Sequence, residues 1–88
     1  MKVEFLSKFT SDLDKIKNPS LKKRVNRVIE EVELAESIFK IRNIKKLASD
    51  KISYRIRIGD YRVGIYFENN VVEFARIVHR KDIYKVFP

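Results

Sequence analysis

Two periods of apolar residues divide this chain. Leu21, Val25, Val28, Ile29, Val32 and Ala35 recur at i, i+4, i+7, i+8, i+11 and i+14, which is the stripe of an amphipathic helix laid on a sheet. Asn18-Pro19 ends any helix before it, because the residue preceding proline is pushed out of the helical region, and Ser20 is placed to cap the next. Upstream, Thr10 or Ser11 can cap a shorter helix. Asp12 and Asp14 would then sit in its first turn against the partial positive charge there, with Leu13 and Ile16 facing the core. These signals predict a helical hairpin. Ahead of it, Lys2–Lys8 alternates through Val3 and Phe5 and slips to Leu6, as a short strand does.

After Ser53 the period becomes two. Tyr54, Ile56 and Ile58 share one face of an extended chain, and Arg55 and Arg57 the other. Gly59-Asp60 signals a turn, beyond which Val63, Ile65 and Phe67 alternate with Arg62, Gly64 and Tyr66; Asn69-Asn70 signals a second turn, because asparagine tolerates positive φ. Arg76 and Arg80 are in phase with each other. With the aliphatic sides on one core, the opposite face carries Arg55, Arg57, Arg62, Arg76 and Arg80. Ile38–Ser49 has mixed periodicity and reads as a helix end followed by a basic connector. Phe87-Pro88 is a short apolar tail, to be folded back on the sheet or taken by a partner. The predicted order is a strand, a helical hairpin and a three-stranded antiparallel meander: an α+β domain with helices on one face of its sheet.

With 88 residues, 44% of them apolar, the chain suits one domain (1–88) with one core. Lys and Arg number 20 against 12 acids, a net charge of +8, which favours polyanionic partners, nucleic acid first. The long helix has its own asymmetry. Lys22, Lys23, Arg24 and Arg27 occupy its first half and Glu30, Glu31, Glu33 and Glu36 follow, an order that opposes the macrodipole. Arg27 and Glu31 are spaced to pair at i, i+4. Such a face is ordinarily solvated; as a basic patch it would grip RNA or an acidic partner. No apolar run approaches the ~18 residues of a membrane span, and Met1–Phe5 lacks the apolar core of a leader, so a cytoplasmic location with no membrane partner is expected. Without cysteine, and with His79 as its one histidine, the chain is expected to use no metal and no cofactor.

The run Tyr54-Arg55-Ile56-Arg57-Ile58-Gly59-Asp60-Tyr61-Arg62-Val63, followed after a hairpin by His79-Arg80-Lys81-Asp82-Ile83-Tyr84, resembles the C-terminal half of the RelE/ParE toxin superfamily. A looser likeness covers the preceding strand, the helical hairpin and the Lys45-Lys46-Leu47 step. The resemblance implies a RelE-like fold, with a sheet of the barnase or microbial-ribonuclease type. It also implies the toxin of a toxin–antitoxin pair, whose RelE branch cleaves messenger RNA in the ribosomal decoding site without a metal. That family's basic pair before the glycine turn falls on Arg55 and Arg57, its arginine after the turn on Arg62, and its late arginine and tyrosine on Arg80 and Tyr84. Lys45, Lys46, Arg76, His79 and Lys81 complete the expected RNA-binding set. RelE-branch toxins tend to carry lysines where this chain has Arg55 and Arg57, and arginine does not give up its proton. The general base is therefore open among His79, Tyr84, Lys81, Lys85 and Asp82. His79 has a suitable reference pKa, yet its phase with Ile77 points it to the core side unless the strand ends first.

The same resemblance carries two other readings: the ParE branch, which inhibits DNA gyrase by binding and has no catalytic residues, and a decayed RNA-binding homologue. It implies an acidic, RelB-like antitoxin forming a heteromer with the chain, and the ribosome with its message as the target. Arginines on one open face are suited to that target because planar guanidiniums grip phosphate oxygens bidentately.

Overall fold

The computed structural model describes residues 1–88. β3 (Ser53–Ile58), β4 (Tyr61–Glu68) and β5 (Val71–His79) form the antiparallel meander that the period-two alternation predicts. Ile58 pairs with Tyr61 across the Gly59-Asp60 turn, where Gly59 has φ 59°. Glu68 pairs with Val71 across Asn69-Asn70, with φ of 53° and 60°, the left-handed geometry that a type I′ hairpin requires. Two further strands widen the sheet to five, in the order β1-β5-β4-β3-β2. β1 (Lys2–Phe5) runs parallel to β5, from Lys2 opposite Val71 to Phe5 opposite Phe74. β2 (Ile44–Lys46) runs antiparallel to β3.

β2 corrects the reading of Ile38–Ser49 as a helix end and connector. The segment is a 3₁₀ turn at Ile38–Lys40, with Ser37 Oγ accepting from the Phe39 N–H at 3.1 Å, then Asn43 at φ 62°, then the strand. Three residues, two of them lysine, are too few to display an alternation.

α1 (Ser7–Lys15) begins three residues before Thr10, after Leu6, and has no side-chain cap. Asp12 is therefore not a first-turn residue but lies on the buried side, one turn from Phe9. In α2 (Pro19–Leu34) the cap is Asn18 rather than Ser20: its Oδ1 accepts from the Ser20 and Leu21 N–H groups at 2.9 and 3.3 Å, and Pro19 opens the first turn. Leu21, Val25 and Val32 of the predicted stripe are buried. With Phe9 they pack on Ile56, Val63, Ile65, Val72, Phe74 and Ile77 of the sheet. The expected Arg27–Glu31 pair does not form, because Glu31 Oε1 accepts from Arg42 Nη2 at 2.8 Å. No helix is long and apolar enough to cross a membrane.

The opposite sheet face is only half open. Gly64 faces Arg76 and Ile65 faces Phe74, so Ala75 is an extra residue bulging from β5. Ala75 joins Leu47, Ile83 and Phe87 in a second small core flanked by Leu6, Tyr66 and Val78. The tail thus folds back on the sheet through α3 (Ile83–Val86). Phe87 lies directly on Gly64, where an added Cβ would fall 2.6 Å from the ring.

Candidate functional site: an arginine cluster on the open half of the sheet

Strand pairing dictates the arrangement. Arg57 of β3 is opposite Arg62 of β4, and Arg55 is opposite Gly64, so the three arginines share the face away from the main core. Arg62 is the centre. It is half-buried, and its Nη1 donates to the Gly59 and Tyr61 carbonyl oxygens, both at 2.9 Å, which fixes the guanidinium at the neck of the hairpin. Its pKa is lowered, first by burial and then by the charges of Arg55, Arg57 and Arg80, while Tyr84 acts in the opposite sense. Four guanidiniums and one phenol hydroxyl are therefore within electrostatic reach of one point.

Arg80 enters from the turn after β5, anchored by its own N–H donating to the Asp60 carbonyl oxygen at 2.7 Å. Its Nε is 3.9 Å from Asp60 Oδ1, with both side chains largely exposed; a pair this long and solvated holds the guanidinium weakly and leaves it available to an anion. Arg57 has only a 3.5 Å contact from Nη2 to Asn43 Oδ1. Tyr84 stands 65% exposed on α3. It lines a cleft of about 480 Å³ with Lys45, above Leu47 and Phe87. Lys45 pairs with Arg55 across β2–β3 and so shares its face. An exposed phenol ring beside cations suits a stacked nucleobase flanked by its phosphates.

Arg76 and His79 lie elsewhere, and Lys46, although it lines the Tyr84 cleft, has its ammonium engaged by backbone carbonyls. Arg76 is committed to Asp12, with Nε to Oδ2 at 2.7 Å and Nη2 to Oδ1 at 3.1 Å, and Asp12 Oδ2 also accepts from the Ile77 N–H at 3.1 Å. The hydrogen bond to Asp12 raises the Arg76 pKa. The cause is topological: β1 ends beside Phe74, leaving the edge of β5 bare from Ala75 onward, and α1 lies there with a carboxylate for the orphan N–H. His79 pairs with Tyr61 on the core side, its ring edge-on to the Tyr61 ring at 5.7 Å, and its Nδ1 accepts from the Lys81 N–H at 3.2 Å. Lys46 turns away from Arg55: its Nζ donates to the Leu47 and Asp50 carbonyl oxygens at 3.2 and 2.5 Å and sits 5.9 Å above the Tyr54 ring. Lys81 is exposed on the turn leading to α3. Lys85 pairs with Asp82 at 3.5 Å.

Two supporting features escaped the sequence reading. Asp50 Oδ1 accepts from the Ile52 and Ser53 N–H groups, and Oδ2 from Ser53 Oγ, at 2.8–2.9 Å. These bonds, that from the Ser53 hydroxyl first, lower the Asp50 pKa and fix the entry into β3. The other is the seat of Phe87 on Gly64, which a lone glycine in a strand could have signalled.

Residues 3–84 match the family described as ParE toxin of type II toxin-antitoxin system, parDE. Toxin RelE3 of Methanocaldococcus jannaschii is 38% identical over 89 residues, covering 100% of both chains. A chain of the RelB-RelE antitoxin-toxin complex from Methanococcus jannaschii superposes with a TM-score of 0.81 at 35% identity, over 97% of this chain and 99% of that one. A chain of the archaeal RelE-RelB complex from Pyrococcus horikoshii OT3 shares the fold, with a TM-score of 0.73 at 19% identity over 93% and 97%. The meander, the helical hairpin beneath it and the match over nearly the whole length agree: the chain belongs to the RelE/ParE superfamily of toxins from type II toxin–antitoxin systems.

Proposed function

We propose that this toxin is a ribosome-dependent endoribonuclease that cuts messenger RNA and so inhibits translation. The observation that carries the reading is the placement of Arg55, Arg57 and Arg62 on one sheet face, with Arg80 anchored at the Asp60 turn and Tyr84 exposed on α3. In the step it would serve, the 2′-hydroxyl loses its proton and its oxygen bonds to the adjacent phosphorus. The P–O5′ bond then breaks, and the 5′-oxygen takes a proton, leaving a 2′,3′-cyclic phosphate and a 5′-hydroxyl. The intermediate phosphorane carries one more negative charge than the phosphodiester, and guanidinium donors stabilise that increment selectively. Arg62, held by two carbonyls, is the preorganised donor; Arg57 and Arg80 flank it.

Among the groups open for proton transfer, His79 is set aside because its Nδ1 is occupied and its ring faces Tyr61; Tyr84 is the exposed hydroxyl on α3. Tyr84 orients the attacking hydroxyl or stacks the neighbouring base, and the ribosome supplies in-line placement of the message. A RelB-like antitoxin is the inferred partner, because the structural relatives are toxin chains solved with theirs.

The test is primer extension on message from a translating extract. Codon-phased cuts should appear with the parent protein. They should fall by roughly 10²–10³-fold in Arg62→Ala, the loss typical of deleting one preorganised donor. Failure of DNA supercoiling without cuts would instead assign gyrase as the target, and neither effect would indicate a decayed toxin.

A further inference from the structure

The first half of α2 carries cations where the helix dipole disfavours them, and the sheet-face cluster does not use them. β2 begins at Ile44, opposite Ile56, so the last two residues of β3 have no strand on their outer side; the Arg57 N–H donates instead to the Asn43 carbonyl oxygen at 3.1 Å. The gap is a cleft of about 210 Å³ between α2 and that edge, lined by Arg24, Arg27, Arg42 and Arg57. Glu31 is the one carboxylate in it, and Arg42 occupies it. No carboxylate lies within 4.0 Å of Arg24, Arg27 or Arg57. The Arg24 guanidinium rests against the hairpin turn, its Nη1 2.9 Å from where a Cβ of Gly59 would be, so the glycine admits the close approach.

We infer that this cleft is a second phosphodiester-binding site, taking the single-stranded RNA where it leaves the sheet face around the β3–β4 hairpin. The inference rests on the reading of that face as an RNA surface. Arg57 belongs to both places, which makes the two sites one path rather than two separate patches. Guanidinium forks lining a cleft whose one carboxylate is already paired with Arg42 match the successive phosphates of a strand.

Arg24 and Arg27 are exposed, so Arg24→Ala/Arg27→Ala leaves the core intact. The probe is a fluorescein-labelled single-stranded RNA methylated at every 2′-oxygen, which blocks the nucleophile and prevents cutting. Its affinity for the full chain is read by anisotropy between 50 and 200 mM salt. The double variant should lower the slope of log affinity against log salt by about 1.4, because each single-strand phosphate contact contributes about 0.7. Lys8→Ala/Lys15→Ala on α1 removes the same charge from exposed positions elsewhere and should keep the parent slope. A parent slope in Arg24→Ala/Arg27→Ala, or an equal loss in the α1 control, overturns the inference. So does a variant that keeps its RNA slope and instead loses affinity for the antitoxin, which would make the cleft a protein site. Arg62→Ala/Arg80→Ala in the same titration separates the two readings. If that variant binds as the parent does while Arg24→Ala/Arg27→Ala does not, the sheet-face reading fails and the cleft stands.

Discussion

An alanine at Gly64 would place a methyl carbon 2.6 Å from two atoms of the Phe87 ring and 2.8 Å from a third. Carbon atoms attract best at about 3.5–4.0 Å, so the ring must retreat by on the order of 1 Å. Overpacking of this kind costs about 1–3 kcal/mol. Expelling the ring altogether would forfeit about 150–250 Å² of burial, or about 4–6 kcal/mol at ~25 cal/mol per Å². The tail should therefore shift and stay docked. Alanine also restricts the unfolded chain, an opposing gain of about 0.4–1 kcal/mol that is too small to reverse the sign. Tyr84 lies on α3, which Phe87 ends with its N–H donating to the Ile83 carbonyl oxygen at 2.8 Å, so a shift of the ring is passed to Tyr84. A displacement of about 1 Å at a reacting group can cost ~10² in rate. Urea unfolding followed by circular dichroism should show a midpoint lowered by about 1–2 M, and message cutting should fall more than the residual fold would suggest. Adding Phe87→Leu in the same chain, which vacates part of the ring's space, should recover some of both. A Gly64→Ala protein with parental midpoint and cutting, or no recovery in the double variant, would refute the claim that Phe87 positions Tyr84.

Asp12→Ala should cost about 3–5 kcal/mol in urea unfolding, because it strands a partly buried guanidinium and the Ile77 N–H together. Asp12→Ala/Arg76→Met should lose markedly less than the two single losses added, whereas simple additivity would mean the pair is not a unit. Arg76→Met should bind RNA as the parent does, checked by anisotropy. Asp50 gives a pH signature. Its folded pKa is depressed, so its contribution is present above the ordinary aspartate value of about 4 and is lost as pH falls through the lower folded value. The gap in unfolding midpoint between parent and Asp50→Asn should thus be wide at pH 6 and close as the pH falls through and below the lowered folded value; a gap that persisted in strong acid would discount the Ser53 bond as its cause.

The meander and α2 were legible because each repeats one period over many residues, so single exceptions do not hide it. The arginines of β3 and β4 were placed correctly for the same reason: alternation fixes the face, and a two-residue turn fixes the register between Arg57 and Arg62. Arg76 failed by that same logic. The bulge at Ala75 and the bare strand edge beyond β1 are non-local, and they hand its side chain to a carboxylate 64 positions earlier. Asp12 could have been suspected, since it sits among Phe9, Leu13 and Ile16 on the buried side of its helix. β2 and the Phe87 seat carry too few residues to register as pattern; they exist only once the sheet is built.

The parallel pairing of Lys2–Phe5 with Val71–Phe74 has a consequence for a chain made from its N-terminus. β1 must wait, unpaired, until β5 has been synthesised, and Tyr84 and Phe87 emerge later still. Vectorial synthesis thus delays completion of the arginine–tyrosine surface until β5 and α3 have both been made. A stalled chain lacking the last twenty or so residues should accordingly be protease-sensitive and inert.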